Sequence, residues 1–426
     1  MLFILVVVYT FNFIDRQIVG ILAVPIKADL GLSDTQLSLM GGLAFALFYT
    51  FLGIPIAWLA DRRSRVWIMT AALTIWSAMT AVCGLAQNFT QLFLARLGVG
   101  VGEAGGVAPA YSLIADYFPP HQRARALSVY SFGIPIGSAL GILLGGVLTS
   151  YLDWRAAFII VGLVGLAIAP VFRLTMREPR RGQFDAATAK VEPAPIMEVV
   201  RTLVRKKSFW GMSIGAASSS MMGYGLIFWL PSFFVRSFGD ALPGFFAWMP
   251  DALIPPNPSP LLYASYFYGS ILFFGGIAGI WLGGALGDKL GARDKSAYAR
   301  VPAFAFLATL PFFIVGVLSS SLGLAFFAFL IIQALSLVWL GPVLSAFQHL
   351  VQPNMRATAS AVFLFVNNLI GIGLGNLLIG ALSDGLTARF AEESLRYAIL
   401  SGAVFYLIAA TLFIVTSKRL ATDWEE

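Results

Sequence analysis

The chain is poor in the residues that soluble chemistry draws on. Its 426 residues include one cysteine, Cys83, and two histidines, His121 and His349. A lone cysteine excludes an internal disulfide, and so few Cys and His argue against the common zinc-ligand sets. Charge is also scarce. Asp, Glu, Lys and Arg make up 12% of the chain, where soluble domains run near ~25%. No H-E-x-x-H helix and no phosphate-binding loop are visible, so metalloprotease chemistry and ATP drive are not expected. The first segment has neither a basic n-region nor a small-residue cleavage site, so it does not read as a signal peptide. Met1 falls abruptly inside an apolar run, and the expectation is a polar N-terminal tail ahead of it in the native gene.

What the chain does have is apolar length. It is 58% hydrophobic, with a mean hydropathy of +0.83. A spanning helix needs about 20 apolar residues. Twelve segments qualify: 2–26, 35–60, 66–87, 89–115, 124–151, 155–175, 208–237, 262–287, 299–318, 321–348, 356–383 and 395–417. The expected fold is an all-α membrane protein, with twelve transmembrane helices in two pseudo-symmetric six-helix bundles. The bundles are 1–175 and 208–426. A cytoplasmic linker, 176–207, joins them, and within it IMEVVRTLVRKK reads as an amphipathic helix on the membrane surface. The net charge of +7 is concentrated in the short loops at one side, including Arg62, Arg63, Arg65, Arg123, Arg125, Lys289, Arg293 and Lys418. By the positive-inside rule both termini are cytoplasmic, in a plasma or bacterial inner membrane. This distribution suits a lipid bilayer and makes nucleic acid an improbable partner. The proline-rich stretch 239–261 is not expected to be helical throughout.

Four charged residues fall at membrane depth, all in the first half: Asp15, Arg16, Arg96 and Glu103. An ionised side chain there costs about 2.5–3.5 kcal/mol on insertion scales, so each is a candidate functional residue. Arg96 and Glu103 are seven residues apart, which returns them to one helix face about 10 Å apart along the axis. That is too far for a direct bond, although both can face Asp15 or Arg16 across a cavity. One reading is a proton-responsive switch. The other is a static ion-pair lock between the first and fourth spans. The Gly100–Gly105 run matches G-x-G-x-x-G, but it lies inside an apolar helix with no preceding strand. Close packing through Gly98, Gly102 and Gly106 explains it better than a dinucleotide site. The stripes Gly137, Gly141, Gly145 and Gly371, Gly375 read likewise.

The halves echo each other. GIPIAWLADRRSR (53–65) and GIWLGGALGDKLGAR (279–293) stand at matching loops, as do DYFPPHQRARA (116–126) and VQPNMRATASA (351–361). Asp61, Arg62, Ser64 and Arg65 resemble the loop signature of the major facilitator superfamily, with Ala57 and Ser64 in place of its usual glycines. Arg96-x-x-x-Gly100-x-Gly102, the glycine-rich fifth span and DWRAAF (153–158) are similar to further motifs of that superfamily. NFIDR in the first span and RLGVGVGEAG (96–105) in the fourth resemble its spinster-like branch. The resemblance covers the whole chain. It implies alternating access, with the first-span acid as protonation site, and lysolipid or sphingolipid-phosphate substrates. It also implies gating by Asp61, Arg62, Arg65 and Arg123, with Asp288, Lys289 and Arg293 as second-half counterparts; the other reading is that these charges only set topology.

The second half is aromatic and nearly uncharged within its spans. Asn12, Tyr49, Ser218, Tyr224, Trp229, Asn367 and Asn368 are candidates for lining a substrate cavity. An ionic first half and an apolar second half suit an amphiphilic anion, with Arg16 or Arg96 attracting its phosphate or carboxylate. The expectation is a monomeric secondary active transporter of a lipid-like anion, linked to protons and without a cofactor. The alternative is a proton-coupled transporter of a small soluble organic anion. An intramembrane enzyme or a non-transporting sensor is the further alternative.

Overall fold

The computed structural model describes residues 1–60, 62–119, 126–127, 129–180, 195–250, 254–255, 258–352 and 355–424. Among the described residues there is no strand. This follows from the apolar composition, because in lipid a backbone polar group has no water to bond and a helix pairs its own.

The first half contains α1 (Leu2–Leu30), α2 (Asp34–Ser38), a π-helical turn (Leu39–Leu43), α3 (Ala44–Ala60), α4 (Arg65–Cys83), α5 (Phe89–Glu103), α6 (Val107–Tyr117), α7 (Gly133–Tyr151) and α8 (Trp154–Thr175). The amphipathic α9 (Ile196–Arg205) precedes α10 (Lys207–Phe238), the short α11 (Leu242–Phe245) and α12 (Pro260–Gly291). There follow α13 (Ala297–Leu318), α14 (Leu322–Leu337), α15 (Leu340–Gln348), α16 (Arg356–Phe390), α17 (Ser394–Ser401) and α18 (Ala403–Asp423). The twelve expected spans fall largely on helix among the described residues, with 124–125 and 128 of the fifth lying outside them. Eight stretches of the described residues are long and apolar enough to cross a membrane.

Helix starts are set by local chemistry. Ser33 forms a capping box with Gln36, while Asn88, Asp153 and Ser321 accept from Gln91, Ala156 and Leu324 amides. Gly31, at φ 63°, closes α1 with its amide on the Lys27 carbonyl. Several spans expected to be continuous are interrupted, among them the second and the fourth. The second opens with the π turn over LMGGL, where the Phe228 ring occupies the space a side chain at Gly41 would need. The fourth stops at Glu103 and restarts at Val107 after a turn.

Contacts divide the chain into two compact units. The first comprises 1–189 with 227–269; the second comprises 190–226 with 270–426. In the first unit the glycine stripe of α7 lies on α1. A Cβ at Gly137 would stand 2.4 Å from the Thr10 carbonyl oxygen, and one at Gly141 would stand 2.9 Å from that of Ile14. In the second unit Gly375 of α16 would meet the Met221 carbonyl at 2.2 Å and Gly371 the Ser220 Cβ at 2.7 Å. These stripes let backbones touch, as small-residue interfaces do in membranes.

Candidate functional site

The four membrane-depth charges converge inside the first unit. Asp15, Arg96 and Glu103 are each at most 1% exposed. Arg16 turns to α5, where its Nε donates to Glu103 Oε2 at 2.7 Å. Its guanidinium also lies over the rings of Tyr49 (4.6 Å) and Phe13 (5.1 Å). Arg96 Nη1 donates to the backbone carbonyl of Asp15 at 3.4 Å. The Asp15 carboxylate, adjacent to Arg16 in sequence, is not its ion-pair partner. Among the described residues no cation comes within ion-pairing distance of it. Asn12, 2% exposed, stands beside Glu103. Next to this core Tyr9 stacks on Tyr130 (4.3 Å, 6°), and Tyr111 meets Tyr130 edge-on.

Two further ionic clusters cap opposite ends of the first unit. At the α4 end, buried Arg65 pairs with Asp116 and, at 2.7 Å, with Glu178, and donates to the Ser112 hydroxyl. Glu178 also accepts from the Ser64 hydroxyl and the Val66 amide. Burial alone would raise the Glu178 carboxyl, but the Val66 amide, Arg65 and Ser64 outweigh it and hold it below the usual glutamate range. At the other end Asp34, 2% exposed, takes Lys27 Nζ at 2.5 Å and both terminal nitrogens of Arg236 at 2.8 and 3.0 Å.

Sequence reasoning missed Asp34, Asp116 and Glu178. The available signals were the S-x-x-Q capping box beside Asp34 and the quoted loop that begins at Asp116.

Of the gating candidates, Asp61 and Arg123 lie outside the described residues. Arg65 is the buried hub just described, whereas Arg62, Lys289 and Arg293 are exposed. Asp288 lies near the end of α12, its side chain outside the described set. Of the cavity candidates, Trp229 is fully buried against Phe228. In the second unit the Ser220 hydroxyl donates to Asn367 Oδ1 at 2.8 Å, and the Asn367 amide reaches Asn368 at 3.5 Å. Ser218 is buried and Tyr224 half-buried nearby in sequence.

Gly211–Gly215 matches G-x-S-x-G. It lies inside the continuous helix α10 with Ser213 fully buried, so it is not the strand-to-helix elbow that exposes a nucleophile. No group of three His, Cys, Asp or Glu able to hold a metal occurs among the described residues.

Long apolar helices that enclose a buried ionic core, with glycines packed on neighbouring backbones, define an integral membrane protein. The family model of the Major Facilitator Superfamily matches residues 5–376. An MFS-type efflux pump of Mycolicibacterium smegmatis is 33% identical, over 99% of this chain and 92% of the relative. Protein spinster homolog 1 of Homo sapiens is 28% identical over 97% of this chain and 79% of its own length. A solved bacterial homolog of the human lysosomal transporter Spinster, in an inward-facing and unoccupied conformation, superposes with a TM-score of 0.87 at 32% identity, covering 100% of this chain and 98% of that one. The chain belongs to the major facilitator superfamily, in its spinster-like branch.

Proposed function

We propose that the protein is a proton-coupled secondary transporter that moves an amphiphilic, lipid-like anion across a bacterial inner membrane by alternating access. Both termini lie on the cytoplasmic side. The observation that carries this reading is the separation of two adjacent charges. Arg16 is held by Glu103, while Asp15 is buried with no ion-pair partner. A buried carboxylate with no bonded counter-charge is costly when ionised and is therefore suited to bind and release a proton. Protonation of Glu103 frees Arg16 to take an anionic head, and the Tyr9, Tyr49, Tyr111 and Tyr130 rings beside it offer an apolar wall for the rest of an amphiphile. Arg65 with Glu178 and Asp34 with Arg236 serve as locks at the cytoplasmic and outer ends. Resemblance to an efflux pump favours outward movement.

The test is uptake and efflux in proteoliposomes, using a lysolipid panel and small organic anions, with and without a pH gradient. Lysolipid flux that rises with the gradient and loses that response in Asp15→Asn supports the reading. Gradient-driven flux that survives Asp15→Asn refutes the coupling role, and flux of small anions alone shifts the substrate to the soluble class.

A further inference from the structure

Helix α4 carries no charge at the level of the ionic core, yet it turns two polar groups, Trp76 and Thr80, toward it, with Ser77 between them facing α8. Trp76, Ser77 and Thr80 are all at most 1% exposed. Trp76 and Thr80 are four residues apart, hence on one face, and both stand beside the Asp15 carboxylate. Their Nε1 and Oγ1 atoms, the Ser77 hydroxyl and Asp15 Oδ1 have no partner in hydrogen-bonding geometry. Among the helical threonines Thr50 shares this state, whereas others bond their own helix. Thr70 and Thr74 of the same helix donate to the carbonyls four residues back, at 2.7 and 2.9 Å, and Thr149, Thr175, Thr309, Thr411 and Thr416 do the same in other helices. Such back-bonding is the default for a helical threonine in an apolar setting. Thr80 forgoes it, which leaves its hydroxyl proton for another acceptor.

The helix is not free to drift away from Asp15. A Cβ at Gly102 of α5 would lie 2.5 Å from the Trp76 amide nitrogen, and on α8 a Cβ at Gly165 would lie 2.3 Å from the Ser77 hydroxyl and one at Gly162 2.4 Å from the Ala81 nitrogen. The backbones of α5 and α8 therefore fix where the Trp76 and Thr80 donors stand.

We infer that Trp76 and Thr80 are positioning residues of the proton switch: the indole N–H and the hydroxyl close onto Asp15 when it is ionised and let it go when it is protonated. This rests on the proton-coupled reading above. Two neutral donors fit the task better than a cation would. They stabilise the anion through charge-assisted hydrogen bonds, but they do not lock it ionised as a paired arginine would. The other titratable or charged groups acting on Asp15 are Glu103 and Arg96 from α5 and Cys83 from α4; Arg16, next to it on α1, is held by Glu103. The ionisable groups of α7 and α8, namely Tyr151, Arg155 and Arg173, sit at the helix ends.

The experiment is the pH profile of gradient-driven transport for Thr80→Val, Trp76→Phe and Thr80→Ser, with Asp15→Asn as reference. Loss of either donor destabilises the ionised form, so the midpoint should move to higher pH by about one unit, while Thr80→Ser keeps its hydroxyl and stays near the wild-type midpoint. A purely structural role would lower the rate without moving the midpoint. For any variant that folds but does not transport, infrared difference titration of the protonated carboxyl band, assigned by its loss in Asp15→Asn, reads the same shift. Unmoved midpoints in both donor variants overturn the inference. If Asp15→Asn itself leaves the pH response intact, the proton-coupled reading falls instead, whatever the donor variants do.

Discussion

The Arg16–Glu103 pair makes a quantitative forecast. Glu103 is fully buried and the Arg16 side chain is 11% exposed, so neither charge is well hydrated. Removing one partner of such a pair costs about 3–5 kcal/mol, because the other is left as an uncompensated charge. For Glu103→Leu the orphan is Arg16, and the Tyr49 and Phe13 rings beneath its guanidinium offset about 0.5–2 kcal/mol of that. The net loss expected is therefore about 1–4.5 kcal/mol, roughly a 5- to 1600-fold change in the unfolding equilibrium at tenfold per 1.4 kcal/mol. Arg16→Leu leaves Glu103 with only the Asn12 side chain and the more distant Arg96 charge to relieve it, and should cost about 3–5 kcal/mol. The double variant removes both charges and fills the space with apolar atoms. Replacement of a whole buried pair is often neutral or stabilising, so the double variant should be more stable than either single one. The assay is equilibrium unfolding in mixed detergent micelles, followed by tryptophan fluorescence and read as a double-mutant cycle. Additive single losses, or single losses below about 1 kcal/mol, would refute the claim that these two groups are each other's main electrostatic support.

Other outcomes follow from the same geometry. Gly137→Ala places a methyl 2.4 Å from the Thr10 carbonyl and 2.6 Å from the Phe13 Cβ, so it should cost about 1–3 kcal/mol as overpacking; Gly223→Ala, with nothing within 4 Å, is the control and should leave the thermal midpoint in place. The Glu178 carboxyl is held below its ordinary range in the folded chain. Its contribution is therefore complete above the unfolded glutamate pKa and is lost as pH falls through the folded value. Thermal midpoints measured from neutral to acid pH should drop less steeply in Glu178→Gln than in wild type, and parallel curves would contradict the assignment. Asp34→Asn releases Lys27 and Arg236 from their shared carboxylate. In a Cys83→Ser background, a thiol placed by Leu37→Cys at a site 1% exposed should then be alkylated several-fold faster, and an unchanged rate would show that the triad does not hold that end shut.

The membrane-depth charges were legible because contrast was high: four ionisable residues inside apolar runs stand out in a chain with 12% charge. The helices were legible for the same reason. Asp34, Asp116 and Glu178 were not, since at helix ends and in loops a carboxylate is ordinary and composition alone does not separate a buried lock from a solvated charge. The break after Glu103 was hidden as well, because a glycine-rich apolar run reads equally as close packing and as a turn. The sequence left open which of Asp15 and Arg16 meets Glu103 or Arg96, because consecutive residues on a helix point about 100° apart. That rotation sends Arg16 to Glu103 on α5 and leaves Asp15 beside Trp76 and Thr80 on α4. Two adjacent charges thereby face two different helices. A proton taken up at Asp15 need not break the Arg16–Glu103 bond, and an anion drawn to Arg16 need not displace the proton. On the proposed function, coupling between them can run through the Glu103 carboxylate that acts on both, through the α1 backbone they share and through the Arg96 guanidinium that bonds its carbonyl at Asp15. A movement of α1 against α5 would carry all three contacts with it.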